Sequence, residues 1–332
     1  MSDAGPAGGE SSVANDGIKP RAAGRSGSAD FVGWAREQLA AVEEALERWV
    51  PAAAPAGLGE AMRYGVLDGG KRLRPLLVMA ACEAVTGNTG AALRAAVAVE
   101  LIHAYSLVHD DMPCMDNDVL RRGKPTVHVQ FGEAQAMLAG DAMQALAFEV
   151  LTPGVCGSGS AGDDADAVPP PLQARLCGLL ARSAGHAGMA GGQAIDLASI
   201  GLVLDEATLR DMHRRKTGAL LQASVLMGAA CGNCPPPCRQ ALSDYGAAIG
   251  LAFQVVDDIL DVTQASETLG KTAGKDQGSD KPTYVSVLGL DAARRHADML
   301  RDQAQQALVR SGLQGRAGLL AVLADKVVER ES

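Results

Sequence analysis

The chain has 332 residues, of which 47% are hydrophobic and 21% are charged, so it is long enough to bury one large core. Its net charge of −9 argues against a general nucleic-acid-binding surface, which is normally basic. Aromatic residues make up only 3% of the chain, and few windows alternate with the two-residue period of a strand, which predicts an all-α protein.

Residues 1–30 are rich in Gly, Ala and Ser and show no apolar periodicity, which predicts a disordered leader. The leader lacks the apolar core of a secretory signal, and Asp3, Glu10 and Asp16 are unusual in a transit peptide. No stretch approaches the roughly 18 uninterrupted apolar residues of a membrane-spanning helix. We therefore expect a cytoplasmic protein without a stable membrane anchor, built as one domain over residues 31–332.

Apolar residues recur at helical spacing through most of that domain. The insert at residues 152–171 interrupts the pattern because it is polar and rich in Gly and Pro, and we expect a flexible surface loop there. The predicted helices cover residues 31–50, 58–68, 72–86, 91–111, 132–151, 172–200, 205–230, 238–263 and, in several pieces, 284–330.

The first basic cluster, GGKRLRP, lies at residues 69–75, at the predicted start of a helix. Its glycines allow a ligand to approach the backbone, and Lys71 and Arg74 can contact phosphate oxygens near the helix N-terminus. The cluster lacks the remaining positions of a Walker P-loop, so it does not imply nucleotide binding. Taken alone, it is more typical of an ordinary basic helix start.

An acidic stretch follows at residues 103–124, where a predicted helix ends and the chain turns into a loop. Apolar residues repeat at helical spacing up to Val108, and Pro113 predicts that this helix ends just after Asp111. Close carboxylates repel unless a cation joins them, and their hard oxygen atoms suit Mg²⁺. On this stretch alone, a solvated acidic loop is an equally good explanation. The four carboxylates are Asp110, Asp111, Asp116 and Asp118.

The chain contains seven cysteines, an odd number at irregular spacing, which indicates reduced thiols rather than a disulfide framework. Cys231, Cys234 and Cys238 could supply three ligands of a zinc site. No fourth ligand is close in sequence, and the prolines between them indicate a surface turn. Free thiols are the favoured interpretation.

A second acidic motif, FQVVDDILD, lies at residues 253–261 and should be helical. Its polar residues fall on one helix face, where a pair of acids can share one divalent ion. These residues are Gln254, Asp257, Asp258 and Asp261.

Basic residues accompany both acidic motifs. Lys216 and Thr217 lie upstream of the second motif, and a glycine-punctuated loop downstream of it carries Lys271, Lys275 and Lys281. Glycine-rich loops of this kind can present lysines to phosphate groups. Their recurrence beside the acids favours a diphosphate bridged to the protein by metal ions.

Together these motifs resemble those of the trans-isoprenyl diphosphate synthase family, with the greatest similarity to bacterial farnesyl diphosphate synthases. The shared motifs are GGKRLRP, the DD-x4-D of the first acidic stretch followed by Arg121 and Arg122, FQxxDDxxD, and LGKTxGKD. The resemblance covers residues 35–331, and the order and spacing of the motifs make it specific.

The resemblance implies an all-α isoprenoid synthase fold, with a helical bundle around a central catalytic cavity. It implies condensation of isopentenyl diphosphate with dimethylallyl or geranyl diphosphate, by ionisation of the allylic substrate, attack of the double bond and loss of a proton. It also implies a homodimer and about three Mg²⁺ ions per active site, with Mn²⁺ as a possible substitute.

The resemblance also implies a role for each matched residue. Asp110 and Asp116 would bind Mg²⁺ from one wall with support from Asp111, and Asp257, with Asp261 nearby, would bind it from the other. Thr217 and Gln254 would line the reacting end of the cavity. The residues implied for the allylic diphosphate are Arg121, Lys216, Lys271 and Lys281, and those for isopentenyl diphosphate are Lys71, Arg74, His103 and Arg122.

Product length should depend on the depth of the apolar pocket below Asp110. Tyr105 lies about 7–8 Å down the same helix, where its ring can form the floor, so we predict a C15 product, farnesyl diphosphate. The ring could instead simply pack in the core. A geranylgeranyl diphosphate synthase with a C20 product is the alternative.

Three other functions are compatible with part of the sequence. A metal phosphohydrolase could use His109 and Asp110, but it needs several histidine ligands. A terpene cyclase shares the first acidic motif, but it does not need a second diphosphate pocket. A non-catalytic regulatory subunit of a prenyl synthase could dock through the cysteine turn, although the intact acidic and basic residues argue against it.

Overall fold

The computed structural model describes residues 26–67, 69–154, 168–263 and 282–330, with side chains from residue 31 onward. Regular structure in these ranges is almost entirely helical, which confirms the all-α prediction. The exception within them is a hairpin of two short antiparallel strands, β1 (Leu120–Arg121) and β2 (Lys124–Pro125). These strands are too short to show an alternating sequence pattern, so the sequence did not predict them.

The described helices range from one turn to more than seven turns in length. They are α1 (Ser26–Trp49), α2 (Leu58–Val66), α3 (Leu73–Ala84), α4 (Thr89–Asp110), α5 (Val127–Phe131), α6 (Glu133–Leu151), α7 (Pro170–Ala184), α8 (Met189–Ala198), α9 (Glu206–His213), α10 (Ala219–Ala230), α11 (Pro236–Thr263), α12 (Tyr284–Leu288), α13 (Leu290–Arg310) and α14 (Gly318–Val328). Short 3₁₀ turns lie at Pro55–Gly57 and Gln314–Ala317, and a π-helical turn lies at Arg214–Gly218.

Two long helices organise the bundle. α4 packs against α3, α6 and α10, while α11 packs against α10 and α13. Each of the two is surrounded by its own group of buried apolar side chains. Since α3 and α10 also pack against each other, they connect the helix that carries the first acidic motif to the helix that carries the second.

α4 is long and apolar enough to cross a membrane by length and composition, and it is the one helix of this kind in the described ranges. Other helices surround it, since 78% of its most apolar window is buried inside the protein. Small residues such as Ala92 and Ala96 make up much of its buried surface, which lets neighbouring helices approach closely. α4 therefore has the character of a core helix.

The structure divides two of the predicted helices. The helix predicted at residues 172–200 is divided into α7 and α8. Between them the backbone of Gly188 lies so close to Ser183 that a Cβ on residue 188 would be 2.0 Å from the carbonyl oxygen of Ser183. The segment predicted at 205–230 is α9 and α10 joined by the π-helical turn. The N-terminus of α9 is capped by Asp205, whose carboxylate accepts a hydrogen bond from the backbone N–H of Thr208.

Some boundaries also differ from the predictions. α1 begins at Ser26, earlier than the predicted start at residue 31, and α7 begins at Pro170, inside the predicted insert. A proline is well suited to this first helical position, because its missing N–H would have no partner there. Most of the leader, residues 1–25, and the central part of the insert, residues 155–167, lie outside the described residues.

The prediction that the three cysteines lie on a surface turn is wrong for Cys231 and Cys238. α11 begins at Pro236, so Cys238 lies in its first turn and is buried, and Cys231 is buried at the end of α10. The thiol of Cys231 donates to the carbonyl oxygen of Met227 over 3.3 Å, and that of Cys82 donates to the carbonyl oxygen of Asn88 over 3.5 Å. All three cysteines of the motif are free thiols.

Candidate active site

The first acidic motif lies at the C-terminal end of α4. Asp110 is the last residue of this helix, one residue earlier than the predicted end, and the loop turns back so that the backbone N–H of Asp116 donates to the carbonyl oxygen of Asp110 over 2.9 Å. Desolvation raises the pKa of Asp110 to about 6, against the lowering effect of Lys216, and the charge of Asp116 adds to the rise. The two carboxylates therefore lie in an environment that favours a bound cation.

Asp111 has a different position from Asp110. It is buried, and its carboxylate accepts hydrogen bonds from Nε and Nη2 of Arg121 at distances of 2.8 and 2.6 Å. This paired contact fixes Arg121 on strand β1 beside the end of α4. The implied roles of Asp111 in metal binding and of Arg121 in diphosphate binding stay predictions, and the structure adds a positioning role for Asp111.

Lys216 and Thr217 lie in the π-helical turn between α9 and α10, a feature that often occurs at functional sites. Nζ of Lys216 donates to the carboxylate of Asp196 on α8 over 2.5 Å, which holds the ammonium group at the cavity. The backbone of this turn also touches α11, because a Cβ at Gly250 would lie only 2.6 Å from Cα of Gly218. Backbone contact therefore sets the position of the turn relative to the second acidic motif.

The second acidic motif lies near the C-terminal end of α11. Asp258 is 2% exposed and accepts hydrogen bonds from Nε2 of Gln254 and from the backbone N–H of Tyr284, at 2.9 and 2.7 Å. Its carboxylate therefore attaches the start of α12 to α11. Asp257 has a side chain that is 37% exposed and pairs with Arg330 over 3.0 Å, while Asp261 is buried.

A cavity of about 600 Å³ opens at the N-terminal end of α3 and contains four of the residues implied for isopentenyl diphosphate. Nε of Arg74 is buried there without a hydrogen-bond partner among the described residues, so a ligand oxygen would satisfy it. Desolvation, followed by the charge of Arg74, lowers the pKa of His103 well below its usual value. The cationic residues that line this cavity are Lys71, Arg72, Arg74, Arg122, Lys326 and Arg330.

Arg72 anchors the basic cluster, although the sequence did not single it out. It is buried, and its guanidinium pairs with Glu43 on α1 and Glu100 on α4, each over 2.7 Å. The tight turn before it depends on glycine, because a Cβ at Gly70 would lie 2.8 Å from the Arg122 guanidinium. These contacts place the flanking Lys71 and Arg74 at the cavity.

A second cavity, of about 390 Å³, runs along α4 from Asp110 towards Tyr105. Its lining is mostly apolar, and it shares Arg74 and His103 with the basic cavity, so the two cavities meet at these side chains. The hydroxyl of Tyr105 is hydrogen-bonded to Gln144 on α6, which fixes the ring in place. The apolar residues of its far wall are Met189, Ala190, Ala194 and Leu197 of α8.

His109 contacts the backbone of α6. Its Nε2 lies 3.1 Å from the carbonyl oxygen of Met137, and a Cβ at Gly140 would collide with the ring. The metal phosphohydrolase interpretation needs His109 as a metal ligand beside Asp110. The structure instead gives this ring a packing role between α4 and α6.

The donor set suits Mg²⁺ shared with a substrate. In the part of the chain that the structure describes, no three His, Cys, Asp or Glu side chains are grouped closely enough to hold one ion by themselves. Mg²⁺ usually keeps several waters and binds through one or two carboxylates plus substrate phosphates. Desolvation is the main cause of the raised pKa of Asp110, with a smaller contribution from Asp116, so a positive charge at this site would stabilise the ionised carboxylate.

Lys271 and Lys281 lie outside the described residues, so their predicted roles in diphosphate binding stay predictions. The sequence did not identify Asp196, which holds Lys216, or the cavity residues Lys326 and Arg330. A signal was present for Asp196, a single acid among the small and apolar residues of MAGGQAIDLA.

Known proteins share these features. The sequence profile of the Polyprenyl synthetase family matches residues 55–311. The large subunit 1 of a heterodimeric chloroplastic geranylgeranyl pyrophosphate synthase from Arabidopsis thaliana is 45% identical over 92% of this chain and 81% of its own length. The structure of an FPP/GFPP synthase from Zymomonas mobilis has a TM-score of 0.78 at 40% identity, over 91% of this chain and 99% of that one.

A third relative shows the ligands of such a site. A geranyltransferase from Helicobacter pylori, solved with magnesium and isoprenyl diphosphate, has a TM-score of 0.75 at 32% identity, over 90% of this chain and 96% of that chain. These likenesses cover most of the chain and confirm both the predicted all-α isoprenoid synthase fold and the resemblance in its motifs. The chain therefore belongs to the polyprenyl synthetase family, among the trans-isoprenyl diphosphate synthases.

Proposed function

We propose that this prenyltransferase condenses isopentenyl diphosphate with an allylic diphosphate. The observation that carries this proposal is the meeting of two unlike cavities at Arg74 and His103. The basic cavity suits the diphosphate of isopentenyl diphosphate, and the apolar cavity below Asp110 suits an allylic hydrocarbon tail. The diphosphate of the allylic substrate then lies at the mouth of the apolar cavity, beside Lys216 and the first acidic motif.

The acidic residues divide into two groups in this proposal. Asp110 and Asp116 hold Mg²⁺ from the end of α4, and Asp257 and Asp261 hold it from α11. Bound Mg²⁺ neutralises the negative charge that accumulates on the departing diphosphate. Mn²⁺ has the same charge and also accepts oxygen ligands, so it should substitute at least in part.

The protein's own cations share this task. Lys216, held by Asp196, contributes a fixed positive charge at the allylic diphosphate, which favours cleavage of its C–O bond to an allylic cation. The double bond of isopentenyl diphosphate attacks this cation and forms the new C–C bond. The departed diphosphate beside the product cation takes up the proton that is lost, so no side chain has to act as the base.

Two product lengths have support. Curated relatives at 44–47% identity are named geranylgeranyl pyrophosphate synthases, which favours a C20 product. The position of Tyr105 against the apolar cavity is a specific observation in favour of C15. We therefore propose geranylgeranyl diphosphate as the main product and farnesyl diphosphate as the second candidate.

The test is incubation of purified protein with Mg²⁺, labelled isopentenyl diphosphate and dimethylallyl, geranyl or farnesyl diphosphate, followed by chain-length analysis of the hydrolysed products. We expect a C20 product from every allylic primer that the apolar cavity can accommodate. A product that stops at C15, with farnesyl diphosphate inert as a primer, would establish the second candidate. Absence of condensation with every primer would contradict the proposed reaction.

We propose that the protein acts as a homodimer. Apolar side chains on α5 and α6 are exposed in a single chain, among them Val129, Met137 and Leu138, each at least 41% exposed. Because one relative is a subunit of a heterodimer, the competing arrangement is a subunit that needs a different partner chain for activity. Light scattering on the purified protein, with an assay of each peak, separates the two, since a monomer that is inactive alone would contradict the homodimer.

A further inference from the structure

Arg330 lies just beyond the end of α14, and its side chain reaches back to α11. Its Nη2 group is 3.0 Å from a carboxylate oxygen of Asp257 and 2.9 Å from the carbonyl oxygen of Phe253. The guanidinium also stacks on the Phe253 ring, with its central carbon 3.9 Å from the ring centroid. With a side chain that is only 11% exposed, Arg330 is held in a defined position.

The same guanidinium lines the basic cavity. Lys326, one helical turn earlier on α14, lines this cavity too, as do Lys71 and Arg74 at the start of α3. Arg330 therefore lies on the boundary between the cavity for isopentenyl diphosphate and the acidic motif at the allylic end. Its contact with Asp257 uses a carboxylate that the proposed reaction needs for metal binding.

We propose that Arg330 couples the two substrate sites by exchanging partners, an inference that rests on the proposed function. In the free enzyme Arg330 is paired with Asp257. When Mg²⁺ and the allylic diphosphate occupy the acidic motifs, Asp257 changes partner and the guanidinium becomes available to the diphosphate of isopentenyl diphosphate.

The physical basis is competition for one carboxylate. A divalent ion bound to the Asp257 carboxylate neutralises its charge and repels the neighbouring Arg330 guanidinium, so binding of the ion weakens this ion pair. A released guanidinium in this largely buried position gains by pairing with a diphosphate, because charge-assisted, bidentate contacts with phosphate are strong. Since binding free energies are coupled reciprocally, isopentenyl diphosphate should also strengthen binding of the metal and the allylic substrate.

The test is calorimetric titration of isopentenyl diphosphate into the full-length protein. Without an allylic substrate this ligand does not react, so its affinity can be measured in EDTA. Asp257→Asn frees Arg330 in the absence of metal, and we expect it to strengthen binding about tenfold, within the usual range of coupling between two sites. Arg330→Gln should weaken binding less in EDTA than in the loaded state, because Arg330 is engaged by Asp257 when metal is absent.

The double variant separates an exchange of partners from a simple change of charge. Asp257 also interacts electrostatically with Arg74, so its removal could favour an anion without involving Arg330. The exchange predicts that the gain from Asp257→Asn disappears in the Arg330→Gln background. An equal gain in both backgrounds would overturn it.

A second titration, in Mg²⁺ and an unreactive geranyl S-thiolodiphosphate, tests the loaded state. The wild type should then bind isopentenyl diphosphate more tightly than in EDTA, and Arg330→Gln should lose most of this increase. Lys326→Gln is the matched control, since Lys326 lines the cavity without contacting Asp257, and it should weaken binding equally in both conditions. If the wild type shows no saturable binding of isopentenyl diphosphate in either condition, the proposed function itself fails.

Discussion

The hydroxyl of Thr217 donates a hydrogen bond to Oε1 of Gln254 over 2.9 Å, which connects the π-helical turn to α11 at the apolar cavity. Nε2 of Gln254 in turn donates to Asp258, and Asp258 accepts from the backbone N–H of Tyr284. A continuous series of hydrogen bonds therefore extends from the cavity wall to the start of α12, and each member orients the next.

Thr217→Val should lower kcat about tenfold, because it removes one donor worth about 1 kcal/mol and leaves the Gln254 oxygen without its partner. Steady-state condensation assays measure the effect. Thr217→Ser is the matched control, since it keeps the hydroxyl and should retain most of the activity. Full activity in Thr217→Val with a loss in Thr217→Ser would point to the methyl group of Thr217 instead.

Asp110→Asn should stabilise the metal-free protein above about pH 6. Because the pKa of Asp110 is raised to about 6, the folded state binds its proton more tightly than the unfolded state does. The stability that this group contributes is present below its ordinary pKa near 3.8 and is lost as the pH rises to about 6. The variant should gain about 3 kcal/mol at pH 8 and almost nothing at pH 4.

Urea unfolding in EDTA at several pH values measures this difference. Asp141→Asn, on the exposed surface of α6, is the control and should show little change at either pH. The same Asp110→Asn variant should lose at least about a hundredfold in Mg²⁺-dependent activity. A variant that is destabilised at pH 8 would contradict the assigned environment of Asp110.

Tyr105→Ala should lengthen the product by at least one isoprene unit, because it removes a ring that lines the apolar cavity. Tyr105→Phe keeps the ring and loses only the hydrogen bond to Gln144, so its product length should match that of the wild type. Chromatography of the hydrolysed products distinguishes these outcomes. An unchanged product in Tyr105→Ala would show that the ring serves only core packing.

Arg72→Met should destabilise the protein by about 3–5 kcal/mol, since it leaves the buried Glu100 carboxylate without its cation. Arg214→Met is a suitable comparison, because its ion pair with Asp211 is largely exposed and should contribute little. Urea titration gives both values. Similar small effects would mean that Glu100 becomes protonated or hydrated at low cost.

Gly250→Ala should destabilise the protein by about 1–3 kcal/mol and raise KM, because the new Cβ would push α11 away from the backbone of Gly218. Gly178→Ala tests the same chemical change where no atom outside the local helix backbone lies within 4 Å of the new Cβ. There the alanine should be neutral or stabilising by up to about 1 kcal/mol, since it favours the helix. Matching results at the two sites would contradict the close packing at Gly218.

Local sequence patterns were sufficient to predict the helices and the principal motifs. Proline and glycine mark helix ends, and both acidic motifs lie on the helices that the spacing indicated. The structure brings Arg74, Asp110 and Thr217 of these motifs to the two cavities, while their implied roles stay predictions. The sequence did not predict the break between α7 and α8, because the glycines there act through close contact between backbone segments, which a sequence pattern does not show.

Long-range pairs could not be predicted in the same way. Lys216 pairs with Asp196, twenty residues away, and Arg330, just beyond the last helix, pairs with Asp257 on α11. Periodicity reports which face of one helix is apolar, but it contains no information about which charged side chains meet between helices. The buried position of Arg72 is another such case, because an isolated arginine in a basic cluster is normally exposed.

Helix α4 carries both Asp110 and Tyr105, and it is enclosed by α3, α6 and α10. In the proposed reaction, product length is therefore set along a single helix, from the end that would hold the diphosphate. One turn of an α-helix rises about 5.4 Å, which is close to the length of one isoprene unit. The next side chains below Tyr105, Leu101 and Ile102, are fully buried, so on this proposal a smaller side chain one turn lower would deepen the cavity by about one isoprene unit.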